Sequence, residues 1–186
     1  MALNINGATI QTSNDALSIT ANGITGLNIN SLDFPVQSNR PYFCATGNNA
    51  AWQTVAAAWI TMVFNTTNVN NGSSYNTTTG AFTAPVSGTY YFEQSSYWQK
   101  PGGTATDYVH PIFIINGSQT TRQASQTTPY RLRGRSNTAG NYNFDTQIND
   151  IFYLAAGDFV QVSIYSSVAT QGWYPPYAQF AGFLIG

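Results

Sequence analysis

The strongest constraint on this chain is that its apolar residues recur at every second position, in short runs separated by turn signals. In runs such as 88–98 and 159–165, this spacing places one apolar row on one side of an extended backbone. Asn-Gly pairs at Asn71-Gly72 and Asn116-Gly117 fit tight hairpin turns, since both residue types tolerate a positive φ angle. The pattern predicts many short antiparallel strands and almost no helix.

Charge is scarce in this chain. Asp, Glu, Lys and Arg make up 7% of its 186 residues and the net charge is −1, whereas ordinary globular proteins carry about a quarter charged residues. The polar surface is therefore built from Asn, Thr, Ser and Gln, which predicts no nucleic-acid partner and favours burial of surface in a permanent assembly. The longest apolar stretch, 55–64, falls short of the ~20 residues that cross a bilayer, which predicts no membrane insertion. Because the first residues carry no signal-peptide pattern, we expect synthesis in a cytosol.

The first 39 residues differ from the rest of the chain. Two segments, Leu3-Asn4-Ile5-Asn6 and Leu27-Asn28-Ile29-Asn30, echo each other, and no aromatic residue precedes Phe34. One thin row of Leu and Ile buries too little surface to fold alone, so residues 1–39 are predicted to be a β-rich anchor or shaft segment. The segment would form a threefold shaft, lie on a capsid or tail protein, or pack on its own domain. The predicted anchoring side chains are Leu3, Ile5, Leu27 and Ile29.

Residues 40–186 are predicted to form one all-β domain, a sandwich or jelly roll with aromatic inward faces. Asn- and Thr-rich segments such as 65–79 and 118–128 are interpreted as loops. The candidate strands are 42–45, 59–64, 88–98, 109–115, 144–154, 159–165 and 178–185.

Several segments of this domain follow a recognisable order. Residues 75–92 carry a Tyr, a Thr-Gly, a Phe, a Pro and a Gly ahead of a Tyr-x-Phe strand. Downstream come Ile115-Asn116-Gly117, then Leu-Ala-Ala-Gly-Asp-Phe-Val at 154–160, and Phe-Ala-Gly-Phe-Leu-Ile at 180–185. Together with the opening segment 40–45, this order resembles the C1q domain family over about residues 40–186.

The resemblance implies a C1q/TNF-like jelly roll of ten strands that packs as a threefold homotrimer. We expect a binding or structural module rather than an enzyme. The last strand fits this expectation, because Phe180 and Leu184 share one face while Phe183 and Ile185 lie on the other. One face would meet the domain core and the other a neighbouring subunit. The residues expected in the core or at the trimer interface are Tyr90, Phe92, Phe180, Phe183 and Ile185.

The residue types needed for catalysis are sparse. The single histidine, His110, and the single cysteine, Cys44, fall in separate predicted strands, so no nucleophile–base pair is expected, and Cys44 is interpreted as a small core residue. His, Cys and carboxylates show no metal-ligand spacing, so neither a catalytic residue nor a cofactor or metal site is predicted. Calcium is the one alternative, through Asp107, Asp145 and Asp150, although no calcium-loop motif accompanies them.

Two segments have the residue types of a binding surface. Trp173, Tyr174 and Tyr177 form a stiff aromatic loop suited to stacking on a sugar face, with trimer packing as the alternative. The second segment alternates arginines on one face of an extended chain, for an acidic glycan or partner, with a solvated face or intersubunit ion pairs as the alternative. These arginines are Arg131, Arg133 and Arg135.

The sequence therefore predicts a trimeric bacteriophage virion protein whose N-terminal strip holds the particle and whose head binds a host surface or glycan. The alternatives are a capsid decoration or head-fibre protein with a structural role, and a bacterial surface adhesin. The C1q resemblance supports the head. The virion setting rests on analogy between the uncharged N-terminal strip and phage fibres.

Overall fold

The computed structural model describes residues 8–13, 16–21, 24–29, 35–36, 40–103, 108–118, 134–135 and 140–186. It divides the chain into two compact units, Met1–Arg40 and Pro41–Gly186. In the described parts of the chain, no helix is long and apolar enough to cross a membrane.

The first unit is an antiparallel sheet with the order β1-β2-β3-β4. Its register pairs Ile19 with Leu27 and Leu17 with Ile29, so two of the four predicted anchor residues lie in paired strands. Leu3 and Ile5 lie outside the described residues. The strands are β1 (Ala8–Ser13), β2 (Ala16–Ala21), β3 (Ile24–Ile29) and β4 (Pro35–Val36).

The second unit consists of two antiparallel sheets that enclose one core, which confirms the predicted all-β sandwich. The first sheet has the order β13-β12-β15-β10-β9, with β7 also paired to β15. Its strands are β7 (Trp59–Thr61), β9 (Tyr75–Asn76), β10 (Ala81–Thr83), β12 (Tyr108–Ile115), β13 (Gly134–Arg135) and β15 (Phe159–Ser166).

The second sheet runs β14-β11-β17-β5-β8. The short strand β16 also pairs with β11, next to the end of β17, and β6 pairs with β16. Its strands are β5 (Tyr42–Thr46), β6 (Gln53–Thr54), β8 (Thr66–Asn71), β11 (Gly88–Gly103), β14 (Gly140–Leu154), β16 (Gly172–Trp173) and β17 (Gln179–Leu184).

The core between the sheets is aromatic, and the period-two pattern of the sequence builds it. In β11 the even-numbered residues from Tyr90 to Trp98 are buried, while the odd-numbered residues lie on the opposite face. Phe92 and Phe180, two of the residues expected in the core or at the trimer interface, are fully buried, and Phe180 packs its ring against Phe43 at 4.9 Å between centroids. Such edge and offset contacts add to the apolar area that each ring buries.

A row of polar side chains crosses one end of this core. Ser96 Oγ accepts hydrogen bonds from Trp98 Nε1 and Gln94 Nε2 at 2.7 Å each, and it bonds Thr146 Oγ1 at 2.8 Å. One serine thus bonds three buried neighbours, which offsets part of the cost of burying polar atoms here, although Gln94 Oε1 has no hydrogen-bond partner.

Gly182 lets the last strand approach the core closely. A Cβ atom at this position would lie 2.5 Å from Phe92 and 2.9 Å from Phe43. Both rings are buried, so neither has room to move aside. The glycine in the closing Phe-x-Gly-Phe-Leu segment is therefore required by packing.

Two turns clamp each other at one end of the first sheet. Asn116 and Gly117 have φ angles of 53° and 72°, which confirms the predicted tight hairpin turn. Asn116 Nδ2 and the amide of Ala155 each donate a hydrogen bond of 2.8 Å to the Asp158 carboxylate, and Asn116 Oδ1 accepts one from Phe159. The two donated bonds lower the pKa of Asp158 below its ordinary value.

We expect Asp158→Asn to lower the urea midpoint at neutral pH, because the neutral amide loses a charge-assisted acceptor. A carboxyl with a depressed folded pKa stabilises the fold above its unfolded pKa of about 4, and the contribution disappears as pH falls through the folded pKa. The difference in urea midpoint between wild type and variant should therefore become smaller below about pH 4. Asp145→Asn, which removes an exposed carboxylate elsewhere, is the control. A difference in urea midpoint that is the same at pH 3 and pH 7 would contradict a stabilising role of the hydrogen bonds to the Asp158 carboxylate.

Three expectations about this unit are wrong. Segment 65–79 is not a loop, because it contains β8 and β9; the pattern failed since β8 is an edge strand made of Thr, Asn and one Val. Strand β7 ends at Thr61 rather than at Phe64. Strand β11 continues to Gly103 rather than ending at residue 98, and β14 begins at Gly140 rather than at residue 144. Cys44 is half-buried on the outer side of β5, while its neighbours Phe43 and Ala45 are the core residues.

Candidate functional site

The outer face of the second sheet is the side that points away from the core. Strand register places side chains of neighbouring strands side by side on this face, about 4.8 Å apart. One row across four strands is entirely apolar or aromatic. It consists of Ile151, Tyr91, Phe183 and Tyr42.

This row is part of a larger apolar patch. Ile151 is 56% exposed, Phe183 is 45% exposed and Tyr153 is 73% exposed. Tyr91 packs against Phe183 with ring centroids 5.3 Å apart. Isolated apolar residues are common on a surface, but a contiguous group of large ones marks a contact surface. We call this group the apolar patch, and its members are Tyr42, Tyr91, Ile151, Tyr153, Phe183 and Ile185.

Polar side chains follow the apolar patch toward the middle of the outer face. Glu93 accepts hydrogen bonds from Tyr91 Oη at 3.3 Å and from Gln179 Nε2 at 3.5 Å. Cys44 Sγ lies 3.8 Å from the amide nitrogen of Asn68. Burial raises the pKa of the Cys44 thiol, and the Glu93 carboxylate raises it further, although the Asn68 contact opposes the shift. The thiol is therefore protonated at neutral pH.

An aromatic cluster lies at the opposite end of β11 from the apolar patch. Tyr97 contacts Trp52 at 5.7 Å and Tyr177 at 5.9 Å between ring centroids. Tyr174 joins the same cluster through Trp52 at 5.3 Å and Tyr177 at 5.0 Å. Tyr177 is 67% exposed, so the cluster is accessible. Rigid aromatic side chains in this arrangement supply contact area at little entropic cost.

The predicted ligand residues are divided by the structure. Tyr174 and Tyr177 belong to the aromatic cluster, together with Trp52 and Tyr97, which were not predicted as ligand residues. Tyr97 was recoverable from the alternation of β11, which places it on the outer face, whereas Trp52 follows no pattern. Trp173 is only 6% exposed, so most of its ring is covered by protein and only a small part of it is accessible to a ligand. Arg131 and Arg133 lie outside the described residues, and Arg135 pairs with Tyr108 in β13.

The candidate catalytic and metal residues do not converge. Cys44 lies in β5 of the second sheet and His110 is buried in β12 of the first sheet. Asp145 and Asp150 are five positions apart on β14, which places them on opposite faces of the strand, and Asp107 lies outside the described residues. The described part of the chain holds no group of three or more His, Cys, Asp or Glu residues that would hold a metal ion.

Known proteins resemble this chain in sequence. The C1q domain profile matches residues 43–185. The chain is 28% identical over 124 residues to complement C1q tumor necrosis factor-related protein 3 of Homo sapiens and of Mus musculus, across 67% of this chain and 44% of each relative. It therefore spans less than half the length of these relatives.

The fold itself matches a solved structure, the globular domain of zebrafish complement 1qA protein. The TM-score is 0.52 with 19% sequence identity, over 79% of this chain and 98% of that chain. At this level of identity the likeness concerns the fold alone, and it confirms the predicted C1q-like jelly roll.

Proposed function

The chain belongs to the C1q domain family, and on this premise we propose that it works as a non-enzymatic homotrimer whose head recognises a ligand on a host surface. The apolar patch is the observation that carries the proposal. Five of the eight large apolar side chains that are exposed among the described residues lie in it. An isolated chain would leave this surface in water, whereas a closed threefold assembly would bury the apolar patch of each of its three subunits.

Recognition is assigned to the other end of the outer face. The aromatic cluster of Trp52, Tyr97, Tyr174 and Tyr177 is remote from the apolar patch along β11, so trimer contacts leave room for it. The surrounding surface is rich in amides and hydroxyls because only 7% of the chain is charged. Such a surface suits hydrogen bonding to a glycan better than ion pairing.

We further propose that the protein is part of a bacteriophage particle, held through residues 1–39. This part rests on the low charge and on the β-rich first unit, in which paired strands carry Leu17, Ile19, Leu27 and Ile29. The animal relatives named above do not bear on it. A decoration or head-fibre role would use the same N-terminal unit without recognition by the head.

Immunogold labelling of intact particles from a lysate that contains the protein tests this location. Gold at a tail tip would favour attachment, and gold on the shell would favour decoration. An antibody that recognises the native protein but labels no particle would remove the virion proposal, while the trimer would stand.

Cys44 supplies a chemical test of the trimer. We expect slow alkylation by iodoacetamide at neutral pH, because burial raises the thiol pKa and a neighbouring subunit would cover the outer face. Alkylation should accelerate at least tenfold in a variant that dissociates, such as Phe183→Asp. Mass spectrometry after timed quenching gives the rates, with Cys44→Ser as the blank. Equal rates in wild type and in a proven monomer would contradict burial of this face.

A further inference from the structure

A groove of about 290 Å³ lies beside the aromatic cluster. Its floor is apolar and consists of Val55, Trp173 and Pro175, all of them buried. Ile60 and Val63 form part of the wall. The remaining lining residues are uncharged and polar: Asn49, Gln53, Thr54, Thr61 and Asn65.

The floor of this groove is held rigidly. Trp173 rests against Phe64 with ring centroids 5.7 Å apart, and its backbone pairs with Gln53 between β16 and β6. The amide of Gly47 donates a hydrogen bond of 3.2 Å to Pro175 O. A site fixed by such contacts loses little conformational entropy when a ligand binds.

Several polar side chains that line the groove, here called its rim, have donors or acceptors that the protein does not use. Within the described residues, the hydroxyls of Thr54 and Thr61 make no hydrogen bond to protein, and neither do the amide nitrogens of Asn49 and Asn65. Asn49 and Asn65 use their amide oxygens to accept bonds from Ala51 and Asn48 at 3.1 Å and 3.0 Å. These donors and acceptors line the groove and are available to a ligand.

We propose that this groove binds one ring of a neutral saccharide, with the apolar floor under the C–H side of the ring and the amides and hydroxyls around its hydroxyl groups. The inference rests on the proposed recognition role of the head, because it names a ligand class and adds a binding place beside the aromatic cluster. Anions and cations are disfavoured because none of the ten lining residues is charged. The volume lies near the lower end of the roughly 300–1,000 Å³ typical of small-molecule sites, which fits a sugar ring rather than a long chain.

The groove and the apolar patch do not compete. Tyr91 in the patch and Trp98, which pairs with Trp173, are seven positions apart on β11. At about 3.3 Å per residue, roughly 23 Å of strand separates them. A trimer that buries the patch would therefore leave the groove open.

The test uses the full chain labelled with 5-fluorotryptophan. Its four tryptophans give four fluorine resonances, which single Trp→Phe variants assign. Methyl glycosides of glucose, mannose, galactose and N-acetylglucosamine are titrated in turn, with methyl glucuronide as the anionic control. We expect at least one to shift the Trp173 resonance saturably, with a dissociation constant in the millimolar range. The resonance of Trp59, which does not line the groove and packs its ring against His110 and Tyr165, should stay unchanged.

Variants separate the groove from the aromatic cluster. Thr61→Val and Asn65→Ala together should weaken the Trp173 response at least tenfold, whereas Tyr177→Ala should leave it unchanged. No saturable response to any of the four glycosides would overturn the inference, as would a response only to methyl glucuronide or one unaffected by the double variant. If no glycoside shifts the Trp173 resonance and the protein sediments as a trimer, the saccharide groove is contradicted and the proposed trimer is not. A response from a monomer would support the groove and contradict the trimer.

Discussion

Phe183→Asp is expected to convert the protein from a trimer to a monomer at micromolar concentration. Phe183 is central to the apolar patch, with Tyr91 beside it at 5.3 Å between ring centroids and Tyr42 paired with it in register. A carboxylate there would be buried among apolar side chains in the assembly, at a large desolvation cost. At about 2 kcal/mol or more per copy, three copies lower the association constant roughly 10⁴-fold. Sedimentation velocity measures the result.

The matched control for this variant is Trp59→Asp. Trp59 is an exposed aromatic residue of comparable accessibility, but it lies in β7 of the first sheet. This variant should stay trimeric. The circular dichroism spectrum of Phe183→Asp should match the wild type, since the side chain is outside the core. Dissociation of Trp59→Asp with retention of the trimer by Phe183→Asp would place the interface on the other sheet.

Phe180→Ala, on the inner face of the same strand, is expected to cost about 3–5 kcal/mol of folding free energy. Phe180 is fully buried and contacts five aromatic rings: Phe43, Phe64, Tyr75, Phe92 and Phe113. Truncation leaves a cavity that these fixed rings do not fill. For a chain of this length the midpoint of thermal unfolding should fall by about 10 °C or more.

Chain concentration must be held constant in this measurement, because unfolding that is linked to association depends on it. Gln179→Ala is the neighbouring control on the outer face, where only a long bond to Glu93 is lost. A loss of less than about 1 kcal/mol for Phe180→Ala would contradict a single aromatic core that depends on this residue.

The sequence predicted those parts of the fold in which local pattern and burial agree. Strand β11 alternates cleanly, so its inward residues Tyr90 and Phe92 were assigned correctly. Strand β8 was missed because an edge strand of Asn and Thr has no apolar row to reveal it. Cys44 was wrongly assigned to the core. Its neighbours Phe43 and Ala45 point inward, so the alternation of the strand places Cys44 on the outer face, whatever its own hydrophobicity.

The candidate site was harder to predict because it is assembled from distant segments. Phe183 and Ile185 were identified from the last strand alone, but Ile151 and Tyr153 join them only through the pairing of β14 with β11. The saccharide groove combines residues from 49 to 65 with Trp173 and Pro175, and no spacing in the sequence signals that meeting. Trp173 was singled out for its aromatic face, yet the structure uses it as a buried floor.

Sedimentation equilibrium of the full chain across nanomolar to micromolar concentrations tests the proposed trimer. We expect one species of three times the 20.2 kDa chain mass over the micromolar range. A monomer that persists at tens of micromolar, or a dimer, would contradict it, because the apolar patch would then lack the threefold partner proposed for it.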